Sequence, residues 1–201
     1  MKDPSETLRA GLSDATEWRV WLWAPVVRRL IGDPEQWAGR RVLELGPRRG
    51  AMSMLFAELG ATVHGLDIDG EHFDVARAAA ERRGVSDRVT FSTYDGSAGM
   101  LPDGPFDVIF CKSVLVVVPD LEQFLVALRD RLVEGGQFLA AENAASGKLM
   151  TQVRGRIIHR SWDFDVFHGA DDAFVETFRR VFSAVETFRR LGLVVGLRAT
   201  T

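Results

Sequence analysis

The chain has 201 residues, 46% of them hydrophobic and 26% charged, with a formal net charge of −3. That length suits one sizeable core rather than two domains, and the acidic balance, broken only by pairs such as Arg48-Arg49 and Arg82-Arg83, argues against nucleic acid as the main partner. The single cysteine, Cys111, excludes an internal disulfide; with no apolar run near the roughly 20 residues of a membrane span and a start, Met-Lys-Asp-Pro, that does not read as a signal peptide, a cytoplasmic protein is expected.

In chain order, residues 14–31 read as a first helix, capped by Asp14 with Glu17 three positions on. Trp18, Trp21, Leu22, Pro25 and Val26 share one face at spacings of three and four, and Pro25 should bend or restart the helix. From residue 41 strands and helices alternate. Strands are expected at 41–45, 62–66, 88–93, 106–111 and from Gly135-Gly136 to Glu142; helices at 51–59, 70–83 (closed by Gly84) and 120–132. Apolar strands between amphipathic helices mean a parallel sheet covered on both faces. Further on, residues 147–160 read weakly as helix, 161–169 as an aromatic loop with Trp162, Phe164 and Phe167, and 171–182 as a helix capped by Asp171. Val-Glu-Thr-Phe-Arg-Arg occurs at 175–180 and again at 185–190. The first copy reads as helix. The second alternates like a strand, turns at Leu191-Gly192 and pairs with 193–199 as a hairpin.

The strongest local signal is Val42-Leu43-Glu44-Leu45-Gly46-Pro47-Arg48-Arg49-Gly50. A buried strand ends in a glycine loop that opens a helix. Gly46 and Gly50 let backbone approach a ligand, and the helix start offers free N–H donors. Asp67 follows Gly46 by 21 residues at the end of the second strand, where a carboxylate can take both hydroxyls of a ribose. A tight turn with a helix-capping Asp is the bland alternative.

These residues make the chain resemble the class I S-adenosylmethionine-dependent methyltransferases over about residues 38–142. Glu44-Leu45-Gly46 with Gly50 is similar to that family's first motif. Leu66-Asp67-Ile68 is similar to the second, where the acid binds ribose and the next apolar residue flanks the adenine. Tyr94-Asp95-Gly96 resembles the acidic loop that meets the adenine amino group, Phe106 to Cys111 the fourth strand, whose end lies beside the methionine portion, and Leu132-Val133-Glu134-Gly135-Gly136 the lead into the fifth. The resemblance implies a single Rossmann-like, doubly wound α/β domain. Its seven-stranded sheet is mostly parallel and closes in an antiparallel hairpin. Residues 1–37 would form a helical lid, 38–142 the cofactor core and 143–201 the substrate-side segment and hairpin. It further implies methyl transfer from S-adenosylmethionine to a small-molecule acceptor, with S-adenosylhomocysteine as product.

Two departures stand out. The usual middle glycine of the first motif is Arg48, which either pairs with the cofactor's methionine carboxylate or is an exposed loop charge. The segment 114–118 after the fourth strand holds no histidine to act as a base. The remaining catalytic candidates are His159, His168 and Lys112, each with a surface role as the alternative. Trp18, Trp21 and Trp162 are acceptor-side candidates, with packing as the competing role. Cys111 reads as a small buried hydrophobe at the end of the cofactor-side strand, and the histidines lack partners at metal spacing, so no metal is expected. A homodimer is left open. Competing readings are a non-catalytic methyltransferase-like module and a nicotinamide-dependent oxidoreductase. For the latter, Gly-x-Gly-x-x-Gly is not met, and the only tyrosine, Tyr94, has Ala98 four residues on in place of lysine.

Overall fold

The computed structural model describes residues 3–16, 20–144 and 169–201. The apolar runs form strands β1 (Arg41–Leu45), β2 (Thr62–Asp67), β3 (Val89–Thr93), β4 (Phe106–Lys112) and β5 (Leu132–Asn143). They are joined in parallel, and the hairpin β6 (Ala184–Arg190) and β7 (Val194–Thr200) closes the sheet antiparallel to β5. The seven strands lie in the order β3-β2-β1-β4-β5-β7-β6. Strand order reverses beside β1, so a crevice opens past the carboxyl ends of β1 and β4, where open α/β sheets bind ligands.

Successive side chains of each strand face opposite sides, and both sides are buried. Val42, Val108, Phe110 and Leu139 face helices α1 (Pro4–Thr16), α2 (Val20–Ile31) and α3 (Ala51–Glu58). Leu43, Leu45, Ile109 and Phe138 face α5 (Leu121–Arg129) and α6 (Asp172–Val181), while α4 (Phe73–Arg83) adds Ala80 to the first side. Helix ends follow the expected chemistry. The Asp171 carboxylate accepts from the Phe174 amide at 2.9 Å, and Gly84 ends α4 at φ +70°. Among the described residues no helix is long and apolar enough to cross a membrane.

Four expectations need correction. Asp14 starts no helix. It lies inside α1, which begins ten residues earlier at Pro4, and its carboxylate takes Arg83 Nη2 at 2.6 Å. Pro25 does not restart α2, which runs through it. The buried face of α2 is Leu22, Trp23, Val26, Val27, Leu30 and Ile31, not the Trp21–Pro25 side; Trp21 is 57% exposed. Further, β5 begins at Leu132, before the glycine pair. Gly135, at φ +71°, accommodates an irregularity against β4, where the register shifts between Phe106 and Val108.

The packing of α1 and α2 makes them part of the core. Deleting residues 1–24 removes the buried Leu8, Leu12, Leu22 and Trp23. Each is worth about 1.5–3 kcal/mol against about 5–15 kcal/mol for a whole domain. The truncated chain is therefore expected to lose its cooperative thermal transition; melting at the full-length temperature would contradict this.

Candidate functional site

At the end of β1 the chain turns sharply. Gly46 adopts φ +69° and donates its N–H to the Leu66 carbonyl at 2.9 Å, tying the loop to β2. A Cβ at Gly46 would stand 2.6 Å from Val114 Cγ2, so no side chain fits there. Gly50, at φ +75°, is the N-cap of α3 and provides no side-chain hydrogen bond, and α3 has no acidic residue in its first turn. The Ser53 N–H is directed to the buried Glu44 carboxylate, so the donors left for the crevice at the helix start are those of Ala51 and Met52.

Arg48 sits between these glycines at φ +49°, the left-handed conformation its glycine counterpart would adopt freely. The loop path thus survives the substitution, at a strain of roughly 1–2 kcal/mol. The Arg48 N–H donates to Asp67 Oδ2 at 3.1 Å, while its side chain is exposed. Arg48→Gly is expected to preserve this path and leave S-adenosylmethionine affinity within about threefold, because only an exposed charge is lost. A tenfold weakening in a calorimetric titration would instead assign the guanidinium to the cofactor's carboxylate.

Asp67 ends β2 and lies at the same mouth. Its second oxygen, Oδ1, accepts from the Asp69 amide at 3.2 Å. Ile68 is 69% exposed, an unusual place for a large apolar side chain, and its Cγ2 lies 3.7 Å from where a Cβ on Gly96 would be. Ile68 and the Asp95-Gly96 turn therefore border one opening. Asp95 is exposed and accepts from the Ser97 amide at 2.8 Å; its hydrogen bonds to Ser97 hold its carboxyl below the usual range. Tyr94 donates its backbone N–H to the Asp67 carbonyl at 3.0 Å, and burial, reinforced by the Asp67 charge, pushes its phenol up to about 12.

Beneath the loop lie two buried acids on opposite sides of the sheet. Glu44 on β1 accepts from Ser53 Oγ on α3. Burial lifts its carboxyl to about 7, opposed by the Ser53 hydrogen bond and the Lys112 charge. Lys112 ends β4 with its Nζ 5.2 Å from the centre of the Trp23 ring, a cation–π contact that turns the charge toward α2. On the other side Glu142 of β5 is fully buried and also held near 7 by burial. Its Oε1 accepts from Val114 and Leu115 amides, both at 3.0 Å, and lies 3.7 Å from Cys111 Sγ. Cys111 itself is buried, and burial followed by the neighbouring Glu142 charge drives its thiol well up, so it is no nucleophile.

Gly46, Arg48, Gly50, Asp67, Ile68, Asp95 and Gly96 thus gather at the carboxyl ends of β1, β2 and β3, with Glu44 and Cys111 buried below. Lys112 stands at the end of β4. Trp18, His159, Trp162 and His168 lie outside the described residues, and Trp21 is set apart on the exposed side of α2. Among the described residues no group of three or more His, Cys, Asp or Glu is arranged to hold a metal. Sequence reasoning missed Glu142 and Trp23. A lone acid closing the apolar run Phe138-Leu139-Ala140-Ala141, and the i, i+3, i+4, i+7 spacing of Trp23, Val26, Val27 and Leu30, were the available signals.

This arrangement fits an adenosine-type cofactor: a side-chain-free turn at Gly46, unused donors at the start of α3, a carboxylate on the neighbouring strand and an exposed apolar flank at Ile68. A profile of the methyltransferase-domain family matches residues 43–140, a span that takes in all of these groups. A ubiquinone biosynthesis O-methyltransferase from Shewanella sp. (strain ANA-3) is 35% identical over 98 residues, which is 49% of this chain and 41% of that protein. The aklanonic acid methyltransferase DauC from Streptomyces sp. (strain C5) is 31% identical over 121 residues, 59% of this chain and 54% of that protein. The chain thus spans about half the length, or less, of the curated relatives it matches. The crystal structure of an S-adenosylmethionine-dependent methyltransferase from Mesorhizobium loti shares the fold at a TM-score of 0.71 and 18% identity, over 94% of this chain and 100% of that one. With the strand order, the glycine loop and Asp67 all falling within that common frame, residues 43–140 carry a methyltransferase domain, and the chain has the fold of S-adenosylmethionine-dependent methyltransferases.

Proposed function

We propose that this chain transfers the methyl group of S-adenosylmethionine to an oxygen or nitrogen of a small-molecule acceptor, leaving S-adenosylhomocysteine. The observation that carries this reading is the intact left-handed path from Gly46 to Gly50 with Asp67 hydrogen-bonded across it, which keeps a cofactor cradle despite Arg48. In this reading Asp67 takes the ribose hydroxyls, Ile68 flanks the adenine and Asp95 accepts from its amino group, with Gly96 leaving room. Glu44 buttresses the loop through Ser53. The end of β4 at Cys111 lines the methionine portion with backbone rather than with its buried thiol.

The bound cofactor supplies a methyl group already activated on a sulfonium. The protein therefore has mainly to align the acceptor and exclude water. His159 and His168 are the candidates for a base where the acceptor must lose a proton. Lys112, turned toward Glu44 and Trp23, contributes field rather than proton abstraction. Trp18 and Trp162 are the acceptor-side candidates, while Trp21 stands on the exposed side of α2 and residues 4–31 serve the core through the buried faces of α1 and α2. The acidic net charge and the lone Cys111 favour a small-molecule acceptor and a cytoplasmic location over nucleic acid or a secreted setting. Self-association into a homodimer is compatible with this reading.

The two relatives methylate different small molecules by name, so the acceptor is sought without presupposing either. Incubation with methyl-labelled S-adenosylmethionine and fractionated small-molecule extracts should transfer label to a low-mass product. Tight cofactor binding without transfer to any fraction would favour the second reading, a binding module. That reading draws on Arg48 and on the absence of histidine from 114–118.

A further inference from the structure

We infer that Glu142 is a positioning residue for the methyl-donor end of the site, clamping the chain just after β4 so that Val114 walls the glycine loop. The inference rests on the reading that this loop holds S-adenosylmethionine.

Three consecutive residues of β5 hold three consecutive residues beyond β4. The Ala141 carbonyl accepts from the Ser113 amide at 2.9 Å, Glu142 Oε1 accepts from the Val114 and Leu115 amides at 3.0 Å each, and Asn143 Nδ2 donates to Ser113 Oγ at 3.0 Å. Ser113 adopts φ +60°, so the chain reverses sharply as it leaves the sheet. Such a turn persists only where surrounding bonds over-determine it. Glu142 supplies the central bonds: two backbone donors left without an acceptor in a buried site would cost about 1–3 kcal/mol each. The turn delivers Val114 to Gly46, with Val114 Cγ2 2.6 Å from the position a Gly46 Cβ would take. The clamp and the cradle are therefore one packed unit.

The choice of a carboxylate is otherwise hard to explain. Glu142 lies in an apolar layer among Cys111, Leu115 and Val116, and its Oε2 is buried with no hydrogen-bond partner among the described residues. A buried acid with one oxygen spent on two backbone amides and the other unmatched is a poor stabiliser. Its value lies in the geometry it imposes on residues 113–115.

The test compares Glu142→Gln, which keeps an acceptor oxygen for both amides, with Glu142→Leu, which keeps the volume and removes it. Cofactor affinity is measured by calorimetry at a temperature where circular dichroism shows both variants folded. Glu142→Leu should bind S-adenosylmethionine at least tenfold more weakly, and Glu142→Gln should restore affinity to within about threefold of wild type. Should Glu142→Leu not fold, Val114→Ala probes the same wall with the clamp intact and should weaken binding at least threefold. Wild-type affinity in folded Glu142→Leu, or in Val114→Ala where that variant is the one read, overturns the inference alone. A wild-type protein that does not bind S-adenosylmethionine overturns the cofactor reading and the inference with it.

Discussion

Asp67→Ala is expected to weaken S-adenosylmethionine binding by about 3 kcal/mol, roughly two orders of magnitude. Two effects combine. Hydrogen bonds from the ribose hydroxyls to a carboxylate are charge-assisted, worth about 1.5–3 kcal/mol each. The same carboxylate organises the cradle, accepting from the Arg48 amide at 3.1 Å through one oxygen and from Asp69 at 3.2 Å through the other. Removing it frees the left-handed turn at Arg48, so ordering that turn becomes a cost of binding. Asp67→Asn, which keeps one acceptor oxygen, should fall between wild type and alanine. Calorimetry measures all three; unchanged affinity in Asp67→Ala would remove Asp67 from the site and with it the assignment of the ribose.

The second large effect is a fall in stability as pH rises through neutrality. Glu44 and Glu142 are both raised from an ordinary value of 4.5 to about 7 by burial. Between those values the folded protein holds a proton on each that the unfolded chain has already released. The stability difference is then fully present below 4.5 and is lost as pH rises through 7. Between pH 5.5 and 7.5 the loss should be about 2 kcal/mol per group by linkage. His64 works the other way. Half-buried between Ser92 and Thr90, it is lowered by desolvation, so it adds stability as pH rises toward its ordinary value of 6.5. The clean measurement is therefore a difference: urea unfolding at both pH values for wild type and Glu44→Gln. The variant's pH dependence should be shallower by about 2 kcal/mol. An identical slope would mean that Glu44 is ionised throughout, stabilised by Lys112 more than it is penalised by burial.

Both expectations depend on features of different legibility. The order of strands and helices could be read along the chain because its causes are local. Buried parallel strands are apolar runs, and Gly50 and Gly84 mark helix ends with left-handed backbone. The glycine loop and Asp67 were legible for the same reason: a residue without a side chain is needed where the turn is tight, whatever packs on it. The Asp171 cap and the β6–β7 hairpin followed from spacing of a few residues.

What only the tertiary structure decided involves partners far apart in sequence. Asp14 with Glu17 imitates a helix start, yet Asp14 pairs with Arg83, 69 positions away, and α1 begins at Pro4. On α2 the helical period allows more than one apolar face. The side chosen, with Trp23 rather than Trp21 inside, is the one that meets β7 and β5. Glu142 is one acid at the end of a strand until the chain after β4 returns to it, bringing the Val114 amide from 28 positions away. Local propensity sets the elements because it acts within a few residues. Which side chains meet above the sheet, and which acids are stripped of water, depends on strand order and on how the helices cover it.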